Sequence, residues 1–237
     1  MCGRFVLARA DADLVALFGV DQVAEALPAP SYNIAPSEPV KVVREADPPA
    51  GRRLEVARWG LVPSFYRSRS GGPTPFNARI EKVATGGLYR RAFAHRRLIV
   101  PADGFYERSR EAGRPSFFVT PGDGSILALA GLGELWRDPN QPQDQAAPWL
   151  ASATIVTHAA QGAMAPIHDR EPLYLTEDLW ADWLDPATSG TPALLAAVEA
   201  ASAEVAQRLV FRRVGPAWLT TVPGRKRDDA GLIAASV

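Results

Sequence analysis

The stretch "RRLIVPADGFYER", Arg96–Arg108, decides the reading of the fold. Leu98, Ile99 and Val100 form a short run rich in branched side chains, and Phe105 and Tyr106 form a second. Between them, Ala102-Asp103-Gly104 has turn chemistry, so the stretch reads strand, turn, strand. Working outward, "PSFFVT" (115–120), "ILALAGLGELW" (126–136), "ATIVTHA" (153–159) and "LVFRRV" (209–214) are further β-like runs. Upstream, "YNIAPSEPVKVVRE" (32–45) turns at its prolines and then reads as a strand, and "LEVARWGLVP" (54–63) is a strand closed by Pro63.

Three segments have helical character. "ADADLVALFGV" (10–20) is a short amphipathic helix with Asp11 as its N-cap and Gly19 as its stop. "TEDLWADWLD" (176–185) starts at Thr176 and stacks Leu179 on Trp183 one turn apart. "TPALLAAVEAASAEVAQRL" (191–209) has strong alanine propensity. "SRSGGPTP" (68–75), "DPNQPQDQAAP" (138–148) and the tail "VPGRKRDDAGLIAASV" (222–237) read as loops. Strands and helices do not alternate, which argues against a doubly wound parallel sheet. The expected fold class is α+β: a single domain over 1–237, with antiparallel sheets forming a distorted barrel-like core and a few peripheral helices.

The 237 residues are 47% hydrophobic and 22% charged, an ordinary globular composition. No apolar run reaches the roughly 18 residues of a membrane span, and no signal peptide opens the chain. One cysteine excludes an internal disulfide and fits a reducing cytosol, so the expected location is cytoplasmic. Net charge is zero but uneven. Residues 1–120 hold 18 Lys/Arg against 12 Asp/Glu, and residues 121–237 hold 8 against 14. Nearly all the cations are arginine, whose planar fork suits phosphate; a coding bias on a solvated surface explains the same numbers.

That one cysteine is Cys2. Loss of the initiator methionine leaves an α-amine and a thiol on one residue. The amine, with a reference pKa of about 7.7–8.0, adds to an aldehyde as its neutral form. The thiol then closes on the imine carbon to give a five-membered thiazolidine, a step favoured by proximity. An internal cysteine has an amide nitrogen and cannot do this. Cys2 as a small buried hydrophobe is the plain alternative. His95, His158 and His168 give no zinc spacing with it. His95 reads as a surface residue, and His168 as either a turn residue or a general acid/base. Glu107 sits between aromatics on a strand, a setting that desolvates a carboxylate or leaves it at an exposed edge. Asn77 and Arg79, at i and i+2 of a strand, share a face. Phe65 and Tyr66 precede a Gly/Ser/Arg loop, where they can stack on unpaired bases or join the core.

In order along the chain, "MCGRF", "YNIAP", "RWGLVP", "NARIE", "RRLIVPADGFYE", "AGLGELW", "TIVTHAA" and "PIHDREPLYL" resemble the successive motifs of the SRAP (SOS response-associated peptidase) family, over about residues 1–180. The resemblance implies covalent capture of abasic sites in single-stranded DNA through Cys2, as a thiazolidine, within the DNA-damage response. By position it implies that Asn77 orients the amine or the opened sugar. Glu107 opens the deoxyribose and moves protons, and His168 assists Schiff-base formation and reversal. It further implies that Arg4, Arg79, Thr157 and Arg170 hold phosphates, that Pro36 lines the pocket, and that Phe65 and Tyr66 wedge against bases. No cofactor or metal, no membrane partner and a monomeric state are expected. The chain departs from the family pattern at Arg108, where a tryptophan is usual, at Lys82, at Glu171, and in its C-terminal block.

Two other classes compete. An N-terminal-nucleophile cysteine hydrolase, either peptidase or glutamine amidotransferase, uses the same residue. The amidotransferase typically needs an Asn-Gly oxyanion donor, and Asn33, Asn77 and Asn140 are followed by Ile, Ala and Gln. A non-covalent single-strand binder is the third class.

Overall fold

A computed structural model describes residues 3–46, 51–140, 149–219 and 227–235. Cys2 and most of the 138–148 loop lie outside these residues, as does part of the C-terminal tail. In chain order the elements are β1 (Phe5–Leu7), α1 (Asp11–Phe18), β2 (Gln22–Val23), β3 (Ser31–Ile34), β4 (Pro39–Glu45), β5 (Arg52–Trp59), β6 (Asn77–Arg79), α2 (Ile80–Val83) and α3 (Arg90–His95). Then follow β7 (Arg97–Ala102), β8 (Gly104–Arg108), β9 (Ser116–Pro121), β10 (Leu127–Trp136), β11 (Leu150–Ala159), β12 (Arg170–Pro172), α4 (Trp180–Leu184), α5 (Pro192–Gln207) and β13 (Leu209–Val214).

The strands form two sheets. Five of them close a barrel: β5, β4, β7, β10 and β11 pair antiparallel in that order. A parallel contact of β11 with β5, Ser152 on Arg58 and Ala153 on Trp59, shuts the ring. The second sheet is antiparallel, in the order β13-β9-β8-β1-β3. The α+β class and barrel-like core expected from the sequence are present. The closing contact is the departure: it is parallel, as are the β6–β11 and β2–β5 pairs.

The strand-turn-strand at 96–108 is not a hairpin. β7 pairs with β10 and β4 in the barrel, and β8 pairs with β9 and β1 in the other sheet. Asp103 holds this corner: Oδ2 accepts from Ala8 N at 2.6 Å and Oδ1 from Arg9 Nε at 3.0 Å. Gly104 is required because a Cβ there would lie 2.5 Å from Val119 O. The two sheets share one apolar core that joins Phe5, Phe105 and Val119 to Trp59, Val100 and Ile155. Phe5 meets Trp59 edge-on at 5.0 Å between centroids. A smaller cluster of Tyr106, Phe118, Val214 and Trp218 lies apart from it.

Two helix starts differ from expectation. The N-cap of α1 is Ala10, and Asp11 is the first helical residue, its carboxylate bonded to the buried Lys41 ammonium. Thr176 makes no side-chain cap; a 3-10 turn at Glu177–Leu179 leads into a short α4. In contrast, Thr191 caps α5, accepting from Leu194 N at 3.1 Å, with Pro192 in the first turn.

Candidate functional site

β11 changes neighbours halfway along its length, and the site is built around that change. Its first half sits in the barrel between β10 and β5. Its second half is flanked by β6 on one edge, Ile155 on Asn77 through Thr157 on Arg79. On the other edge lies β12, with Thr157 on Pro172 and Ala159 on Arg170. Asn77, Arg79 and Arg170, separated by up to 93 positions in the chain, therefore flank one strand end. Asn77 is half-buried and Arg79 exposed, on the shared face expected for i and i+2.

Glu107 comes from the second sheet. It is 5% exposed, and its Oε1 lies 3.2 Å from Arg108 N. Phe5 pairs with Phe105, and Arg4 O accepts from Tyr106 N at 2.9 Å. Followed backward from Phe5, the described chain thus runs along β8 toward Glu107.

His168 is carried by a tight turn in which Ile167 N and His168 N both donate to Met164 O. Arg110 N donates to Ile167 O at 3.3 Å, tying the segment after β8 to the segment before β12. His168 Nδ1 lies 2.9 Å from Asp169 Oδ1 and 3.0 Å from Arg170 N. Nε2 faces Arg110 Nη2 at 3.3 Å, and the same Nη2 donates to Asp169 Oδ1 at 2.7 Å. Burial holds the His168 pKa below its usual value; the Glu107 charge opposes that, and Arg110 adds to the lowering. His168 is therefore neutral near pH 7, the form that accepts a proton.

Arg110 gives a direct prediction. Arg110→Gln removes a cation beside Nε2, so the His168 pKa rises. A two-dimensional NMR titration of the imidazole checks this; an unchanged or lowered pKa would contradict the assigned contact.

Other expected residues behave differently. Arg4 is not a surface cation. It is 8% exposed and its Nη1 donates to Asn33 Oδ1 at 2.7 Å and Trp218 O at 3.0 Å, joining β1 to β3 and to the C-terminal segment. Thr157 is fully buried, because β11 is flanked on both edges there, and its hydroxyl lies 3.5 Å from Ala78 O. Arg170 is engaged, with Nη1 on Glu81 Oε1 at 2.7 Å. Pro36 occupies the second position of a turn closed by Glu38 N on Ala35 O at 3.1 Å. Its ring presets the backbone angle that this position needs, while Ser37, at φ 77°, is held by Arg58 on its hydroxyl at 2.7 Å.

Phe65 is 65% exposed and meets Tyr66 edge-on at 5.4 Å. Tyr66 is used structurally: its hydroxyl donates to Pro73 O at 3.0 Å, and its carbonyl accepts from Trp136 Nε1 at 2.8 Å. Phe65 is thus the free platform of the pair. Arg110, Asp169 and Glu81 were missed by sequence reasoning. Asp169 adjoins His168 in "IHDR", a usable signal, whereas nothing local ties Arg110 to a histidine 58 residues away.

Behind β12, His158 and Glu171 are buried together, Nε2 to Oε1 3.7 Å, with Ser202 Oγ of α5 3.4 Å from the same Nε2. Burial raises Glu171 to about 7 and lowers His158 to about 4. A carboxyl raised in the folded state contributes stability that is fully present below its unfolded pKa of 4.5 and is lost as pH rises through about 7. Glu171→Gln should therefore be more stable than wild type at pH 8, by on the order of 2 kcal/mol, and lose that advantage toward pH 5. Urea melts at both pH values check it; equal differences at the two would contradict it.

Among the described residues no cluster of three or more His, Cys, Asp or Glu could hold a metal ion. No helix of the described residues is long and apolar enough to cross a membrane.

Comparison with known proteins bears on the family and the fold. The profile of the family described as SOS response associated peptidase (SRAP) matches residues 1–217. Abasic site processing protein YoqW of Bacillus subtilis is 33% identical over 189 residues, covering 78% of this chain and 81% of the relative. Abasic site processing protein YedK of Escherichia coli is 31% identical over 198 residues, 81% and 83% of the two chains. Abasic site processing protein HMCES of Xenopus tropicalis is 30% identical over 186 residues, 66% of this chain and 54% of the relative. A crystal structure from Bacteroides thetaiotaomicron, 19% identical, superposes with a TM-score of 0.80 over 100% of both chains, which shows the fold.

Proposed function

The chain belongs to the SOS response associated peptidase family, and from that premise we propose that it captures abasic sites in single-stranded DNA as a covalent adduct of Cys2. The observation that supports this reading best is the bond of Arg110 N to Ile167 O, which ties the segment just after the buried Glu107 of β8 to the turn that carries His168, at the strand end toward which the first described residues run.

In this reading, removal of Met1 frees the Cys2 amine. The ring-opened abasic sugar presents an aldehyde at C1′. The amine adds to it and one water leaves, giving an imine. The thiol then adds across the C=N bond: an S–C1′ bond forms, the thiol proton ends on nitrogen, and nothing is oxidised or reduced. Glu107, buried beside the path of the chain, and neutral His168 move the protons that ring opening and imine formation require. Asn77 offers an amide to orient the amine or the sugar hydroxyl. Arg79, exposed on the same face, meets a flanking phosphate, and Phe65 stacks on a neighbouring base. Peptide-bond hydrolysis is not part of this reading. The protein acts as a monomer here, since one Cys2 takes one lesion.

The test is a denaturing gel. A single-stranded oligonucleotide with one abasic site should give one heat-stable adduct, whose mass equals protein lacking Met1 plus DNA minus one water. The matched intact strand should give none. Equal retardation of both strands on a native gel, with no adduct on the denaturing one, would favour non-covalent binding instead.

A further inference from the structure

Arg108 departs from the family pattern, and the capture chemistry does not use it. The sheet shows where it goes. Arg108 pairs with Ser116 and Ser116 with Val214, so the ends of β8, β9 and β13 are aligned. At that end the turn after β8 and the segment after β13 enclose a cleft of about 470 Å³. Arg108, Arg114 and Arg213 line it, and no acidic side chain does. None of the three forms an ion pair among the described residues.

Three features argue that this concentration of charge has a ligand. First, like charges gathered without counter-charge repel one another, a cost that an incoming anion removes. Second, Arg114 sits at φ 44° directly after Gly113 at φ 78°. A left-handed arginine costs roughly 1–2 kcal/mol, and Arg114 is exposed, so burial of its side chain does not offset that cost. Its carbonyl accepts from Arg108 Nε at 3.2 Å, which fixes the two residues together and uses one of the five Arg108 donors. Third, Glu107, Phe117 and Arg213 form one row across the sheet and share a face, while Arg108, Ser116 and Val214 form the next row on the opposite face, so the cleft wraps the end of the sheet one residue beyond Glu107. Two strand spacings put the backbone of Arg213 about 10 Å from that of Glu107.

We propose that the Arg108–Arg114–Arg213 cleft seats the phosphodiester backbone of the DNA strand beside the reaction centre. Guanidinium forks match phosphate oxygens two at a time, and a row of phosphates neutralises several of them at once. The cleft lengthens the footprint of the strand by contacts that read backbone and not bases. This rests on the capture reading. A free phosphate or nucleotide has the same chemistry, and the experiment separates the sources.

The experiment measures fluorescence anisotropy of a labelled intact single strand against the full chain at a series of KCl concentrations. Arg108→Gln and Arg213→Gln should each flatten the slope of log K against log salt by about 0.7, and the double variant by about 1.4. Arg108→Lys should retain most of the slope, and Arg90→Gln on α3, away from the cleft, all of it. A double variant with the wild-type slope overturns the proposal. So does wild-type binding of inorganic phosphate alone that the double variant loses while its strand affinity is unchanged. The abasic adduct is scored in parallel. Adduct formation with an unaltered slope sinks the cleft and leaves the capture reading. Flattened slopes in a protein that forms no adduct uphold the cleft as a strand site and sink the capture reading.

Discussion

Cys2→Ala should lose the heat-stable abasic adduct entirely, while borohydride still traps a fraction of the protein on the same oligonucleotide. The two groups of the residue that follows Met1 divide the chemistry between them. Alanine keeps the α-amine, so imine formation continues and reduction fixes it as a secondary amine. It lacks the thiol, so the imine has no internal nucleophile and hydrolyses when the sample is heated. Well-oriented intramolecular reactions reach effective molarities of about 10⁵–10⁸ M, which is why an external thiol at millimolar concentration should not restore the adduct. A variant in which Met1 is retained, made with a bulky residue inserted between Met1 and Cys2 or by blocking the aminopeptidase, should form no heat-stable adduct, since the cysteine nitrogen is then an amide and no thiazolidine can close. Heat-stable adduct from Cys2→Ala at the wild-type level would remove the thiazolidine from the mechanism.

The largest stability effect should come from Arg97, which lies outside the site. Arg97 is 4% exposed, and all five of its N–H donors end on backbone carbonyls: Nε on Trp183 at 2.6 Å, Nη1 on Phe93 and Ala94 at 2.8 and 2.9 Å, and Nη2 on Asp185 and Thr188 at 2.6 and 2.7 Å. Phe93 and Ala94 are in the last turn of α3, and Trp183 and Asp185 close α4, so one guanidinium bonds carbonyls at two helix ends, of which Ala94 O also accepts from Gly190 N at 3.2 Å. Arg97→Met keeps the length and removes every donor. Buried carbonyls left unpaired cost about 1–3 kcal/mol each, partly relieved by water, so a loss of about 4 kcal/mol or more is expected. That corresponds to a fall of roughly 10 °C in melting temperature for a chain of this size. Arg97→Lys, with three donors, should recover part of it. Chemical denaturation with unchanged m-value checks the size; a loss below about 1 kcal/mol would show that the carbonyls find other partners.

Much of the site could be named from the chain. The Cys2, Asn77, Glu107 and His168 set follows from "MCGRF", "NARIE", "ADGFYE" and "IHDR", and Asn77 and Arg79 share a face as the period-2 spacing requires. Arg4 and Thr157 are more enclosed than their residue types suggest, for one reason. The sequence states which residue types are present, and a cation or a hydroxyl reads as solvent-facing unless something opposes it. Arg4 is drawn inside by Asn33, 29 residues away, and by Trp218, 214 residues away. Thr157 is covered because β6 and β12 arrive at its two edges from distant parts of the chain. Arg110 was invisible for the same reason, since its partners lie 58 and 59 residues on.

The sequence by itself determined the strands, the long helix from Thr191, the family, and which residues are candidates for the chemistry. These are local properties: propensity, capping, alternation and motif order need only a few neighbouring residues. Only the tertiary structure decided that "RRLIVPADGFYER" is a corner between two sheets, that β11 closes a barrel against β5 and then opens toward β6 and β12, and that an arginine-lined cleft lies at the ends of β8, β9 and β13. Alternation reports which face of a strand is apolar. It does not report which strand lies at each edge, because backbone hydrogen bonds carry no side-chain signature. The strand edges, and the long-range arginine contacts made across them, are what place Glu107, His168 and Arg110 in one group.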